Sequence, residues 1–207
     1  PTGFVLKQRR NGYDGYGTFI FRNKKQWLKN KASVFKKLAL EDVIVEELVP
    51  FKKELALLVG RTRSGEFFHY PLVETFQTNA QCDWVKGPIK HPQSKKLLKK
   101  LEIFLNDLKY VGVMGVELFA NDKGELIVNE IAPRVHNSAH YSLTASNVSQ
   151  FAAHLLAGTT NQAPKIKNLA THFAMANLLG KTTKKPKIPN NLKADLFWYG
   201  KKENRPR

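Results

Sequence analysis

Residues 113–140, VMGVELFANDKGELIVNEIAPRVHNSAH, constrain what this chain can fold into more than any other stretch. Val113–Phe119 and Glu125–Ile131 are dominated by β-branched and apolar residues, and Asn121-Asp122-Lys123-Gly124 between them has the composition of a hairpin turn. The spacing therefore predicts a strand, a tight turn, a second strand and then a polar loop. Each strand carries one acid in an otherwise apolar run, Glu117 in the first and Glu130 in the second. A carboxylate in such a run is costly unless something compensates its charge. Pairing Ala120 with Glu125 would set Glu117 opposite Val128 and Glu130 opposite Gly115, on one sheet face as diagonal neighbours roughly 7–8 Å apart. A glycine bulge at Gly124 would shift that register by one and bring Asn129 beside Glu117. Either register leaves an oxygen-rich patch.

Oxygen-only ligands argue for magnesium rather than zinc, and magnesium held by one or two carboxylates usually has substrate phosphates completing its shell. The hairpin therefore predicts a nucleotide, with Glu117 and Glu130 as the candidate metal ligands. A single strand glutamate is more simply an edge charge facing water. Two of them, with Asn129 beside the second and Arg134, His136, Asn137 and Ser138 following at once, favour a site. Arg134 offers a planar fork to a carboxylate, phosphate or bicarbonate, while His136 and Asn137 can orient a small oxyanion.

Net charge is the feature that competes with an enzyme. Lys and Arg total 34 against 17 Asp and Glu, giving +17, a balance that suits nucleic acid or anionic surfaces. The lysines are nevertheless spread along the chain, and no helix-turn-helix, zinc-finger or RNA-recognition signature is present, so nucleic acid is not the expected partner. No apolar run approaches 18 residues and the first residues lack a signal-peptide pattern, which argues against a membrane. The single cysteine, Cys82, cannot form an internal disulfide, in keeping with a reducing, cytoplasmic setting.

Taken in order, Thr2–Lys7 reads as a short strand, followed by a run with glycines at 12, 15 and 17 whose N–H groups could cradle an anion. An ordinary glycine-rich hairpin loop explains that run as well, since Thr18–Phe21 looks like a returning strand. Lys24–Leu40 is expected to be a helix, Asp42–Leu48 a buried strand, Leu55–Arg61 a strand, and Glu66–Phe76 a further strand. Pro92–Tyr110 spaces Leu97, Leu101, Phe104, Leu105 and Leu108 as an amphipathic helix. Ser146–Ala157 is expected to be helical with Val148, Phe151, Ala152 and Leu155 inward. A polar, proline-containing break at Asn161–Lys167 marks a domain boundary, with strands at Thr171–Leu178 and Ala194–Tyr199 beyond it. His69, His91 and His154 have no partner at metal-ligand spacing and read as packing or surface residues.

Three stretches together, NEIAPRVHNSAHYS at 129–142, GYDGYGT at 12–18 and EELVPFKKEL at 46–55, give the chain a resemblance to the 5-(carboxyamino)imidazole ribonucleotide synthases, ATP-grasp ligases of purine biosynthesis. The likeness runs over nearly the whole chain, and the Asn-Glu-x-Ala-Pro-Arg-x-His-Asn-Ser run is its most specific part. It implies an α+β fold, an ATP-grasp domain of mostly antiparallel sheet with packed helices over residues 1–160, then a small β-rich C-terminal domain over 161–207. Both domains would be incomplete, because the family starts with a nucleotide-fold domain and an earlier part of the grasp domain and continues to closing residues that this sequence does not reach. A fragment, a split gene product or an excised piece is expected, one that folds, binds nucleotide weakly and turns over poorly or not at all.

The resemblance implies that Lys7 contacts the nucleotide phosphates and that the loop of Gly12, Tyr13, Asp14, Gly15, Tyr16, Gly17 and Thr18 closes over them. Tyr13 and Asp14 would also face the imidazole ribonucleotide. Glu46, Glu47, Leu48 and Val49 would hold the adenine, Glu54 the ribose, and Gln77, Asn129 and Glu130 further nucleotide groups. Arg134, His136 and Asn137 would serve catalysis and, with Ser138, the acceptor; Lys201 and Arg205 would grip the ribonucleotide phosphate. The reaction implied uses magnesium-ATP and bicarbonate to carboxylate the amine of 5-aminoimidazole ribonucleotide through carboxyphosphate, in a homodimer. Another ATP-grasp carboxylate-amine ligase, or a basic nucleic-acid-binding module, is the alternative.

Overall fold

The computed structural model describes residues 3–10, 17–36, 42–78, 81–178, 185 and 187–199. The loop residues Gly12, Tyr13, Asp14, Gly15 and Tyr16 and the basic residues Lys201 and Arg205 lie outside that set.

Two antiparallel sheets organise the chain. The smaller has the order β2-β1-β3, from β1 (Phe4–Gln8), β2 (Thr18–Phe21) and β3 (Val43–Glu47). Helix α1 (Lys24–Phe35) is started by Asn23, whose side chain accepts from Gln26 N–H, the usual way a helix satisfies an orphan first-turn donor. Its Trp27 packs edge-on against Phe21 at 5.1 Å and Phe4 at 5.4 Å, closing a small core with Leu6, Phe21 and Val34. β3 was expected to be buried. Instead Ile44 is 47% and Val45 64% exposed, because β3 is an edge strand and only Val43 reaches the cluster that α1 makes with β1 and β2.

The larger sheet is built from β4 (Lys53–Arg61), β5 (Phe67–His69), β6 (Val73–Thr78), β7 (Gln81–Gly87), β8 (Gly112–Ala120), β9 (Leu126–Ala132) and β10 (Phe173–Ala176). Its order is β10-β7-β6-β4-β8-β9, with β5 also on β4, and every pair is antiparallel. The strand expected over Glu66–Phe76 is two strands. Tyr70–Leu72 breaks it, because Pro71 has no N–H to give a ladder and Tyr70 turns inward, its hydroxyl donating to Val148 C=O at 2.9 Å.

Both faces of this sheet are covered. Helix α2 (Ser94–Asp107) buries Leu97, Leu101 and Leu105, spaced four apart, against Leu55, Leu57, Val59, Met114, Val116 and Leu118. The other face carries the loop after β9, helix α3 (Ser142–Ala145) and helix α4 (Gln150–Thr159). In α4 the inward residues are Gln150, Ala153 and Ala157, while Phe151 and Leu155 are exposed, contrary to the expected face. Close approach to β8 selects small residues: a methyl on Gly112 would lie 2.7 Å from the His154 ring, whose Nδ1 accepts from Val113 N–H.

Beyond residue 160, Phe173–Ala176 pairs with β7 and so extends the large sheet. Ala194–Tyr199 is not a strand and has no ladder partner among the described residues. Among those residues no helix is long and apolar enough to cross a membrane.

Candidate active site

The β8–β9 hairpin turns at Asn121–Gly124. Asn121 Oδ1 accepts from the N–H groups of Lys123 and Glu125, and Gly124 takes φ +71°, a region that favours glycine. The turn pairs Ala120 with Leu126 and Leu118 with Val128, one step from the register that pairs Ala120 with Glu125. A bulge at Asn129 then shifts the ladder again, so that Glu117 stands directly opposite Glu130. The pairing nearest the turn is the glycine-shifted register expected above, whereas the Glu117–Glu130 rung belongs to neither expectation. Two successive irregularities, one at the glycine and one at the asparagine, put both acids on one rung and free Asn129 to serve elsewhere.

Asn129 is used at once. Its Oδ1 accepts from Lys7 Nζ at 3.2 Å, and the same ammonium pairs with Glu46 at 2.8 Å. These contacts tie the small sheet to the large one across 122 residues of sequence. Lys7 also pairs with Thr18 across β1 and β2, while Gly17, at φ +80°, gives its carbonyl to Gln8 N–H. A cleft beside this junction is lined by Glu54, Thr75, Gln77, Glu117, Phe119 and Asn129.

That cleft holds two half-buried carboxylates, Glu54 and Glu117. Burial, with the Glu130 charge added, pushes the Glu117 carboxyl up to about 7; the Gln77 side chain at 3.5 Å and Lys7 act in the opposite sense. Burial also raises Glu54. Two opposed carboxylates, one held half-protonated near neutrality, fit a hard divalent ion that would favour both charged forms. Among the described residues no group of three or more His, Cys, Asp or Glu side chains could hold a metal. Glu117 and Glu130 would therefore need oxygens from a bound phosphate to complete the shell.

On the far side of Glu117 stands His136, with Nε2 3.4 Å from the Glu117 carboxylate and Nδ1 2.8 Å from Ser138 Oγ. Gly115 makes room for it, since a methyl there would meet His136 Cβ at 2.6 Å. Asn137 Nδ2 is buried without a hydrogen-bond partner, a donor in want of an acceptor. Arg134 is exposed and its guanidinium donates to Val135 C=O, so the structure does not bring it to the acids. Glu47 is exposed and Leu48 and Val49 half-buried on the segment leaving β3.

Comparison with known proteins places the chain in a family. Residues 2–151 match the model of the ATP-grasp domain. The chain belongs to the ATP-grasp family. Among ATP-grasp relatives, it is 37% identical over 218 residues to "N5-carboxyaminoimidazole ribonucleotide synthase" of Synechococcus elongatus, covering 98% of this chain and 52% of that protein. It is 38% identical over 216 residues to "Phosphoribosylaminoimidazole carboxylase" of Saccharomyces cerevisiae, covering 98% of this chain and 37% of that one. The chain thus spans about half or less of the length of these relatives. The crystal structure of N5-carboxyaminoimidazole synthetase from Staphylococcus aureus complexed with ADP superposes with a TM-score of 0.78 at 32% identity, over 86% of this chain and 47% of that one. The Aspergillus clavatus N5-carboxyaminoimidazole synthase in complex with ADP and 5-aminoimidazole ribonucleotide superposes at 0.61 and 30% identity, over 74% and 39%. The α+β architecture of antiparallel sheets with packed helices is that of this ATP-grasp family.

Residues outside the expected set also build the site. Gly115 and Gln150 carry no sequence signal of their own, since a strand glycine and a helix-start glutamine are common. His140 lies inside the 129–142 run, where the resemblance implies no role for it.

Proposed function

We propose that this chain carries the nucleotide- and acceptor-binding part of an N5-carboxyaminoimidazole ribonucleotide synthase. The reaction is ATP-dependent carboxylation of the amine of 5-aminoimidazole ribonucleotide with bicarbonate, through carboxyphosphate, releasing ADP and phosphate. The observation that carries this reading is the junction of the two sheets, where Lys7 donates to Asn129, Glu117 stands opposite Glu130, and His136 lies 3.4 Å from Glu117. Relatives whose names state that activity, and one described with ADP and 5-aminoimidazole ribonucleotide, support it.

In this reading Lys7 meets the nucleotide phosphates from β1, and Glu54, partly buried on β4, accepts from the ribose hydroxyls. Glu117 and Glu130 would hold magnesium, which when bound supplies charge neutralisation at the phosphates. His136 and the buried Asn137 amide orient the bicarbonate-derived oxyanion on the side of Glu117 away from the nucleotide. Catalysis of this kind rests on placement and fixed charge more than on covalent participation by the protein. Tyr13 and Asp14 belong to the ribonucleotide contacts on the strength of the 12–18 motif, and Lys201 and Arg205 on that of the C-terminal resemblance. The homodimer and the domain division at residue 160 are part of the same proposal.

Calorimetric titration of the chain with magnesium and a non-hydrolysable ATP analogue, with and without 5-aminoimidazole ribonucleotide, tests it. Magnesium-dependent binding that tightens with the ribonucleotide is expected. Tight nucleotide binding indifferent to the ribonucleotide would point to another ATP-grasp ligase.

A further inference from the structure

Gln150, the first residue of α4, is completely buried, and its side chain is gripped by both backbone groups of a single residue. Oε1 accepts from His136 N–H at 2.8 Å, and Nε2 donates to His136 C=O at 2.8 Å. A backbone N–H can only donate and a backbone carbonyl only accept, so these two bonds fix which end of the amide is oxygen and which is nitrogen. Nε2 also lies 2.7 Å from His140 Nδ1. An amide nitrogen has two hydrogens and no acceptor; one goes to the His136 carbonyl and the other to Nδ1. His140 Nδ1 is therefore the acceptor, and the neutral ring carries its proton on Nε2.

The main chain here is tied just as closely. Gln150 N–H donates to Ser142 Oγ at 2.9 Å, and that hydroxyl donates to Ala139 C=O at 2.6 Å. Ser149 caps the helix through Ala152 N–H, which holds the end of α4 that presents Gln150. The His140 ring stacks on Phe151 at 5.5 Å, so its plane is set from the same helix. Residues 136–142 are thus pinned to α4 through one glutamine, although they follow β9 in the chain.

We propose that Gln150 is the positioning residue of the acceptor-side loop: it clamps His136 from both sides of its backbone and locks His140 as the Nε2–H tautomer. Its effect on substrate rests on the function proposed above; its effect on the two histidines does not. A sideways movement of the His136 backbone would carry the imidazole away from Glu117, now 3.4 Å distant, and would shift the buried Asn137 amide with it. The nucleotide side, from Lys7 to Glu130, shares no hydrogen bond with Gln150 among those described.

The experiment is 15N NMR of the chain labelled at its six histidines, at about pH 8, where an ordinary imidazole is neutral. Gln150→Leu removes both ends of the amide; Gln150→Glu keeps an acceptor for His136 N–H but presents an acceptor to His140 as well. Near-ultraviolet circular dichroism establishes that each variant is folded, and His140→Gln assigns the resonance. In the parent chain His140 is expected to show an acceptor-type Nδ1. Gln150→Glu should convert it to Nδ1–H, and Gln150→Leu should give a mixture of tautomers. The same variants should weaken 5-aminoimidazole ribonucleotide binding at least tenfold in the presence of magnesium and nucleotide. An unchanged His140 tautomer in both folded variants, or an altered tautomer with unchanged ribonucleotide affinity, overturns the proposal. A parent chain that binds nucleotide but never the ribonucleotide overturns the proposed function instead, and the tautomer measurement still decides the role of Gln150.

Discussion

Glu117 and Glu130 face each other on one rung of the β8–β9 ladder, brought there by the bulge at Asn129. Like charges directly opposite are unfavourable in a sheet, and here one of them is also largely buried. Burial and this neighbour push Glu117 up to about 7. The hairpin therefore holds its charge pair at a cost that a bound cation would offset.

A pH dependence follows for the metal-free chain. The folded value of Glu117 is raised above the ordinary 4.5, so between about 4.5 and 7 the folded state holds a proton that the unfolded state has lost. This group's contribution is complete below 4.5 and is lost as pH rises toward 7. Stability measured by urea unfolding in EDTA should fall across that window by on the order of 1–3 kcal/mol more in the parent than in Glu117→Gln. Equal pH slopes in the two proteins would show that Glu117 is not perturbed in this way.

Removing the opposing charge gives a complementary result. Glu130→Gln should weaken magnesium-dependent nucleotide binding at least tenfold, about 1.4 kcal/mol, because one of two metal carboxylates is gone. It should also lower the Glu117 pKa, since Glu130 is among the causes that raise it. Calorimetry measures the first and carboxyl 13C titration the second; nucleotide affinity insensitive to the change would remove Glu130 from the metal site.

Lys7 joins the two sheets through Glu46 and Asn129, yet these are partly solvated contacts and contribute little to folding. Lys7→Ala should leave chemical unfolding within about 1 kcal/mol of the parent. Nucleotide affinity should drop roughly tenfold, the loss of one charge-assisted phosphate contact. A large loss of stability with intact binding would make Lys7 a structural bridge only.

Gly115 tests the fit of His136 against the sheet. A methyl at this position would lie 2.6 Å from His136 Cβ and 2.7 Å from Cγ, both of which belong to the rigid start of the side chain. Gly115→Ala should cost about 1–3 kcal/mol in thermal or urea unfolding by overpacking. It should weaken the ribonucleotide-dependent gain in nucleotide binding more than nucleotide binding itself. If that gain survives intact, His136 has no part in the acceptor site.

The local pattern carried much of this protein. The alternation and turn chemistry of 113–131 specify a hairpin with an acid in each strand, and the four-residue spacing of Leu97, Leu101 and Leu105 specifies α2, because both signals are periodicities of the backbone itself. The motif at 129–142 carried the family. Where the pattern failed, position in the fold had overridden it. Ile44 and Val45 have the composition of a buried strand but lie on an edge, and the bulky residues of α4 face outward because β8 comes too close for them.

What the sequence determined alone was therefore which residue types are available and which local segments they form. Tertiary structure decided which of them meet. The rung shared by Glu117 and Glu130 depends on the bulge at Asn129, which the turn residues do not specify. The contact of Lys7 with Asn129 and the grip of Gln150 on His136 join residues 122 and 14 positions apart. A hydrogen bond is decided by tenths of an ångström and by direction, whereas hydrophobic patterning is satisfied by any arrangement that buries the same face.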